Sequence, residues 1–208
     1  WAKAKLIASA TVSSPGFPIY KCVFSPLDAS VAVVIGKECV KFFRIGDKEM
    51  RPLHENIIHG ENFTSCTWMR TPDDHMLVGT EEGKIMLFRS GELLSTLGCS
   101  PGPDYPITSI LAISGGFCVG SANGTILFFT YDESKDQVLF DNQFAWVNTV
   151  AASDLASGNI TAMAICPRDE RLCCVTSDAQ LLSLPAVSTN SIAVENVKYT
   201  VASFHGPK

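Results

Sequence analysis

Residues 80–89 have the sequence TEEGKIMLFR, and residues 121–130 have the sequence SANGTILFFT. In each stretch a short polar turn that contains glycine leads into an apolar run. Asn123-Gly124 is the strongest short-range signal for a β-hairpin, because both residues tolerate positive φ. The two stretches therefore predict two hairpins of the same design, with a buried strand on either side of each turn.

The hairpin belongs to a longer repeat. An apolar run opens each unit, and these runs begin at residues 19, 63, 107 and 160, so that successive units are 44, 44 and 53 residues apart. A period of about 40–45 residues is typical of the blades of β-propellers and not of helical repeats. The repeat therefore predicts four blades.

Each unit is predicted to contain an inner, a second, a third and an outer strand. Short runs with almost no charge suit strands that are buried on both faces, and the outer strands are more polar. Gln180 interrupts the glycine pattern of the turns, so we expect the fourth turn to have a different geometry. The predicted strands are 19–26, 63–68, 107–114 and 160–167 (inner), 31–35, 76–79, 117–120 and 172–176 (second), 39–43, 84–88, 125–129 and 181–184 (third), and 53–58, 92–97, 138–147 and 198–204 (outer).

The unit resembles the WD repeat, in which a Ser-x-Asp-Gly turn precedes a third strand that ends in Trp-Asp. Here Phe88 and Phe129 stand at the Trp position, and Arg89 and Thr130 stand at the Asp position. The Gly-His pair that usually opens a WD repeat is absent, so the hydrogen-bond network of that family is not expected. The resemblance implies an all-β, WD40-type β-propeller, with about four consecutive four-stranded blades of a larger propeller that commonly has seven.

The blade boundaries follow from the repeat. Residues 1–12 are expected to form the outer strand of a preceding blade, and the blades are predicted at 13–58, 59–98, 99–147 and 148–208. Four blades would leave apolar faces and strand edges without a neighbour at both ends of the series. We therefore expect the chain to be part of one propeller in a longer protein, whose remaining blades are partners of this part.

Composition limits the possible functions. Hydrophobic residues make up 46% of the chain and the formal net charge is −5, without a strongly basic stretch. A negative chain argues against binding to nucleic acid. No apolar run approaches the roughly 20 residues of a membrane-spanning helix, so no membrane partner is expected. The eight cysteines include no C-x-x-C pair, which predicts buried, reduced thiols and no metal site.

A catalytic site is not expected. His54 and His59 are predicted on an outer strand or at its exit, His75 in a hairpin turn, and His205 at a join after the last blade. None of these histidines is predicted beside a nucleophilic Ser or Cys, and the sequence has no glycine-rich phosphate loop. It therefore predicts a non-enzymatic protein with no catalytic residues and no cofactor.

The candidate binding surface is the end of the propeller where the joins between blades meet the turns between second and third strands. Aromatic residues on loops often anchor interfaces, and the Glu81-Glu82 pair is a candidate for binding a cation or a basic peptide. The alternative is that the aromatic residues pack on neighbouring loops and the acidic turn is only solvated. The long join 132–159 is either a bridge to a partner or a longer outer strand. The predicted surface consists of Phe17, Lys37, Glu38, Glu81, Glu82, Asp104, Tyr105, Asn123 and Asp178.

The order of the segments is also similar to that of cilia- and flagella-associated WD-repeat proteins, and the matching stretches are 18–26, 78–91, 116–118 and 199–207. The resemblance implies tandem propellers followed by a long coiled coil. It also implies a structural adaptor on the ciliary axoneme that anchors or regulates inner dynein arms, with dynein-arm components and doublet microtubule-associated proteins as partners. The alternative is a general cytosolic WD-repeat scaffold, either a ubiquitin-ligase substrate receptor or a trafficking component.

Overall fold

The computed structural model describes residues 6–12, 16–54, 58, 60–70, 74–98, 105–131, 144–151, 158–166, 168, 171–186 and 200–203. Within these residues the chain forms sixteen β-strands in four antiparallel sheets of four strands each. In every sheet the strands lie side by side in sequence order. This described part of the chain contains no helix with the length and apolar character needed to cross a membrane.

The sixteen strands confirm the predicted four blades. Blade 1 contains β1 Ile19–Phe24, β2 Val31–Gly36, β3 Cys39–Ile45 and β4 Met50–His54. Blade 2 contains β5 Phe63–Trp68, β6 His75–Thr80, β7 Lys84–Arg89 and β8 Glu92–Gly98. Blade 3 contains β9 Ile107–Ile113, β10 Gly116–Ser121, β11 Thr125–Tyr131 and β12 Phe144–Ala151. Blade 4 contains β13 Ile160–Ile165, β14 Arg171–Thr176, β15 Gln180–Ala186 and β16 Thr200–Ser203.

Successive blades pack face to face. Their inner strands lie side by side, because β1 contacts β5, β5 contacts β9 and β9 contacts β13. The second strands β2, β6 and β10 are buried along their whole length, which explains their apolar, nearly uncharged sequences. Each junction between two blades encloses its own apolar cluster, which includes Phe42, Phe63 and Phe88 at the first junction, Leu77, Ile107 and Phe117 at the second, and Phe128, Ile160 and Leu172 at the third.

A β-bulge recurs at the start of every inner strand. The pairing with the second strand skips one residue, which is Tyr20, Thr64, Thr108 or Thr161 in the four blades. The three threonine hydroxyls donate hydrogen bonds to carbonyls of the second strand, at 3.1, 3.0 and 3.0 Å. A bulge leaves its extra residue outside the ladder, and the threonine side chain ties that residue back to the sheet.

The fourth hairpin turn has the same geometry as the second and third, so the prediction that it differs is wrong. Gly83 and Gly124 have φ angles of 82° and 81°, and Ala179 takes the equivalent conformation with φ of 61°. Ala179 donates its backbone N–H to the carbonyl of Thr176 at 3.1 Å, as Gly124 does to Ser121. The left-handed conformation is less favourable for alanine than for glycine by about 1 kcal/mol, but Ala179 adopts it in this turn. Gln180 is simply the first residue of β15.

The outer strands are displaced from their predicted positions. β4 ends at His54, whereas the prediction was 53–58, and β12 covers Phe144–Ala151 instead of 138–147. Because Ala151 pairs with Thr125, blade 3 continues past the boundary predicted at 147/148. The described residues 6–12 form no strand, although an outer strand was expected there. The sequence of β4, MRPLH, lacks the apolar pattern that located the inner strands, whereas β12, FAWVNTVA, is apolar and differs from the prediction only in its bounds.

Candidate protein-interaction surface

The joins between blades and the turns after the second strands lie at one end of the four sheets, here named the turn end. The backbone N–H that follows each second strand donates to the carbonyl of the residue before the inner strand of the same blade. The four bonds join Lys37 to Pro18 (3.0 Å), Glu81 to Asn62 (2.9 Å), Ala122 to Pro106 (2.9 Å) and Ser177 to Asn159 (2.9 Å). The structure therefore brings together the loops on which the predicted surface residues lie.

Blade 1 contributes a cation–aromatic pair to the turn end. The Lys37 ammonium lies 5.7 Å from the centre of the Phe17 ring, so that this ring is partly covered by its neighbour. Glu38 completes the tight turn with a φ of 50°, and its N–H donates to the carbonyl of Glu61 at 2.9 Å. That bond, together with the β-bridge between Lys37 and Asn62, fixes the first turn against blade 2.

Blade 2 contributes a network of opposite charges. The Lys84 ammonium lies 2.5 Å from a carboxylate oxygen of Glu61 and 2.6 Å from one of Glu82. The hydrogen bonds that Lys84 donates to these two carboxylates raise its pKa above the ordinary value, so the amine is charged at neutral pH. Glu81 instead accepts a hydrogen bond of 2.6 Å from the side-chain amide of Asn62. The predicted acidic pair therefore has internal partners, and Glu61, which has no signature in the sequence, belongs to the same network.

Blades 3 and 4 place polar residues in their turns. The Asn123 side chain accepts a hydrogen bond from the backbone N–H of Thr125 at 3.0 Å, and the Asp178 carboxylate accepts one from the hydroxyl of Thr176. Both side chains therefore shape their own turns. Tyr105 is 42% exposed beside the join into blade 3. Several predicted or noted residues lie outside the described residues, namely Asp104, His59, His205 and Cys99.

The turn end is acidic and well exposed. Its described carboxylates outnumber its cations, and Glu38, Glu81, Glu82 and Asp178 are all solvent-exposed. Charges at an exposed surface steer association and select partners more than they contribute to affinity. The arrangement is chemically suited to a partner with a basic surface.

The histidines of the described residues are not arranged around a nucleophile. His75 begins β6 and is buried, so the prediction that it lies in a turn is wrong. Its Nδ1 lies 2.6 Å from Oδ1 of Asp74. The other carboxylate oxygen of Asp74 accepts a 3.0 Å hydrogen bond from Arg89. This trio ties the start of β6 to the end of β7. Within the part of the chain that the structure describes, no group of three or more His, Cys, Asp or Glu residues is placed to hold a metal ion.

Most of the described thiols fit the prediction of buried cysteines. Cys39, Cys66, Cys118 and Cys174 are buried, and burial raises the pKa of Cys66 to about 11 and that of Cys174 to about 12. These thiols are protonated at neutral pH and are therefore poor nucleophiles. Cys22 is exposed on β1, which corrects the prediction for that residue.

Solved structures share this arrangement of blades. The chain aligns with the β-propeller domain of Cps50 (Swd1) from Myceliophteria thermophila with a TM-score of 0.67 and 14% identity, over 82% of this chain and 57% of that one. U3-55K aligns with a TM-score of 0.67 and 13% identity, over 94% of this chain and 54% of that one. The chain has a WD40-type β-propeller fold. A computationally designed protein, Ika8, also aligns with this propeller, with a TM-score of 0.58.

Sequence comparison relates the propeller to ciliary proteins. No protein-family model matches the chain. It is 28% identical over 178 residues to cilia- and flagella-associated protein 57 A of Tetrahymena thermophila, an alignment that covers 80% of this chain and 13% of that protein. It is also 28% identical over 92 residues to cilia- and flagella-associated protein 57 of Mus musculus, covering 44% of this chain and 7% of that protein. The chain therefore corresponds to a small part of the length of these relatives.

Proposed function

We propose that this chain supplies a non-enzymatic protein-binding surface within a ciliary scaffold, and that the scaffold anchors or regulates inner dynein arms. The observation that carries the proposal is the identity of 28% over 178 residues to a Tetrahymena protein named for cilia and flagella. A propeller suits this role, because its loops display side chains at the end of a rigid set of sheets.

The turn end is the proposed contact surface. Its exposed carboxylates, Glu38, Glu81, Glu82 and Asp178, favour a partner that presents Lys or Arg side chains. The ring of Tyr105, which precedes the join residue Pro106, adds an exposed aromatic side chain to the same end. We place the protein on the axoneme, with dynein-arm components or doublet microtubule-associated proteins as the basic partners.

Cross-linking mass spectrometry on isolated axonemes tests the proposal. We expect cross-links from Lys37 or Lys84, which are the described amines of the turn end, to inner-arm dynein or to proteins of the doublet microtubules. Recovery of the protein only from the soluble cell-body fraction would refute the ciliary assignment. It would favour the general cytosolic scaffold, in which a ubiquitin ligase or a trafficking complex is the partner.

Charge-reversal variants test whether the turn end, and not another surface of the propeller, binds the partner. We expect the full-length protein with Glu38→Lys and Glu81→Lys to be lost from axonemes at a lower salt concentration than the wild type. A matched variant with Asp47→Lys and Glu92→Lys changes the same charge at exposed positions away from the turn end and should behave as the wild type. Equal loss of both variants would show that net charge, and not this surface, controls retention.

A further inference from the structure

The second and third junctions between blades are closed by an apolar residue at the end opposite the turn end. Met69 directly follows β5 and is buried in the cluster between blades 2 and 3. Ile113 ends β9 and is buried in the cluster between blades 3 and 4. The equivalent residue of blade 1 is Ser25, because its N–H bonds to the start of the second strand (2.8 Å) just as that of Met69 does (2.9 Å).

Ser25 does not reach into the first junction. Its hydroxyl oxygen accepts hydrogen bonds from the backbone N–H groups of Leu27 and Asp28, at 3.2 and 3.3 Å. The side chain therefore turns back on its own loop. The position that Met69 and Ile113 fill at the other junctions is left without an apolar side chain.

A cleft opens at this place between blades 1 and 2. It has a volume of about 520 Å³, which is within the range of sites that bind small ligands or side chains. Phe24 and Leu27 at its rim are each 58% exposed, which is unusual for large apolar side chains beside a core. The lining includes Lys21, Val23, Phe24, Leu27, Met69 and Arg70, so that Phe24 and Leu27 lie on either side of Ser25 in the chain and Met69 also borders the cleft.

The charged residues of the cleft have one sign. Lys21 and Arg70 are cations, and the described lining contains no carboxylate. The Lys21 ammonium donates a 2.9 Å hydrogen bond to the carbonyl of Cys66 at the cleft. The ion pairs found among the described residues do not involve Lys21. In a chain with a net charge of −5, such a cationic apolar cleft is complementary to an acidic segment that carries a large apolar side chain.

We propose that the cleft binds an extended acidic segment of a partner protein, whose methionine- or leucine-sized side chain takes the position that Ser25 leaves open. A carboxylate of the segment next to that side chain pairs with Lys21. This site lies at the opposite end of the blades from the turn end and does not rest on the function proposed above.

Methyl NMR of the full chain labelled at the methionine methyl groups tests the proposal. The probe is the acidic peptide Asp-Glu-Met-Leu-Asp, with Lys-Lys-Met-Leu-Lys and Asp-Glu-Ser-Ser-Asp as matched peptides. We expect a saturable shift of the Met69 signal with a Kd on the order of 100 μM for the acidic apolar peptide. The signals of Met50 and Met163, which lie outside the cleft lining, should not move, and both matched peptides should bind at least tenfold more weakly.

Two variants decide whether the cleft is the site. Ser25→Met fills the open position from within and should weaken binding at least tenfold, whereas the exposed control Thr96→Met on β8 should bind as the wild type does. Lys21→Met keeps an apolar stem without the charge and should weaken binding of the acidic peptide about fivefold. An unshifted Met163 signal checks that each variant is folded. No saturable shift at Met69, equal binding of the basic peptide, or undiminished binding by Ser25→Met would each overturn the proposal.

Discussion

The junctions between blades 1 and 2 and between blades 2 and 3 are built from the same strands but are filled differently. Between blades 2 and 3, Gly79 leaves room for Ile107 near the turn end, and Met69 closes the opposite end. Between blades 1 and 2, Ile35 stands at the position of Gly79, and Ser25 stands at the position of Met69. The second junction therefore has a buried apolar side chain at each of these two positions, and the first opens into the cleft at the end where Ser25 lies.

The difference shows that the repeat and the junctions are determined separately. Hairpin turns and buried strands fix the backbone of each blade, and they tolerate wide variation in the side chains that meet the next blade. Two positions, one beside each end of the inner strand, then decide whether neighbouring blades close completely. An open junction is compatible with the fold and provides a place for binding.

The largest effect is expected when the closed junction is opened. Met69→Ser removes a side chain that is 2% exposed and places a hydroxyl in the apolar cluster. The free energy of unfolding should fall by about 4 kcal/mol, from the lost burial, the cavity and the buried polar group. Urea denaturation followed by circular dichroism measures this loss. The half-buried Met50 on β4 is the matched control, and Met50→Ser should cost less than about 1 kcal/mol. Equal losses would contradict the assignment of Met69 as the closing residue.

The next largest loss of stability is expected from a substitution that crowds the junction between blades 2 and 3 near the turn end. A Cβ atom at Gly79 would lie 2.5 Å from Cγ2 of Ile107, closer than two such atoms can approach. Gly79→Ala should therefore destabilise the protein by about 2 kcal/mol through overpacking. If blades 2 and 3 meet as described, the double variant with Ile107→Val recovers part of the loss. A Gly79→Ala variant as stable as the wild type in thermal unfolding would mean that this junction is looser.

The threonines of the inner-strand bulges make different hydrogen bonds at the junction between blades 2 and 3 and in blade 4. The Thr64 hydroxyl contacts the carbonyl of Gly79 in its own blade and that of Ile107 in blade 3. The Thr161 hydroxyl bonds to the carbonyl of Val175 in its own blade and is exposed. Thr64→Val should cost about 1.5 kcal/mol and Thr161→Val about 0.5 kcal/mol, because a buried carbonyl that loses its donor is costlier than a solvated one. Equal costs in chemical denaturation would argue against a hydrogen bond between the blades.

The sequence predicted the strands that are apolar and the turns that contain glycine. The second strands and the turns at Gly83 and Gly124 are found within a residue or two of their predicted positions. Ala179 was missed, since a left-handed alanine has no signature in the sequence. β4 was misplaced because a polar strand at the edge of a blade has weak alternation. β12 is apolar, but Val138-Leu139-Phe140 have a strand-like sequence too, so the pattern did not determine where the strand begins.

The surface was predicted only in part. The location of the turns followed from the repeat, and the structure places Phe17, Lys37, Glu81 and Asn123 at the turn end as expected. Whether these residues bind a partner stays a prediction. Glu61 lies before β5 and gave no signal in the sequence, because its role depends on Lys84 in another strand. The cleft at Ser25 was not predicted, since an absent side chain matters only when the equivalent residues of the other blades are aligned in space.

The substitution Ser25→Met tests most directly whether Ser25 leaves the first junction open, and it is the only one of these changes that should stabilise the protein. Ser25→Met loses two hydrogen bonds to backbone N–H groups and gains the burial of a methionine side chain. We predict that the free energy of unfolding, measured by urea denaturation, rises by about 1 kcal/mol, because burial outweighs the two weak bonds. A fall of similar size would show that the first junction is not open at Ser25, because it would have no room for the residue that closes the second.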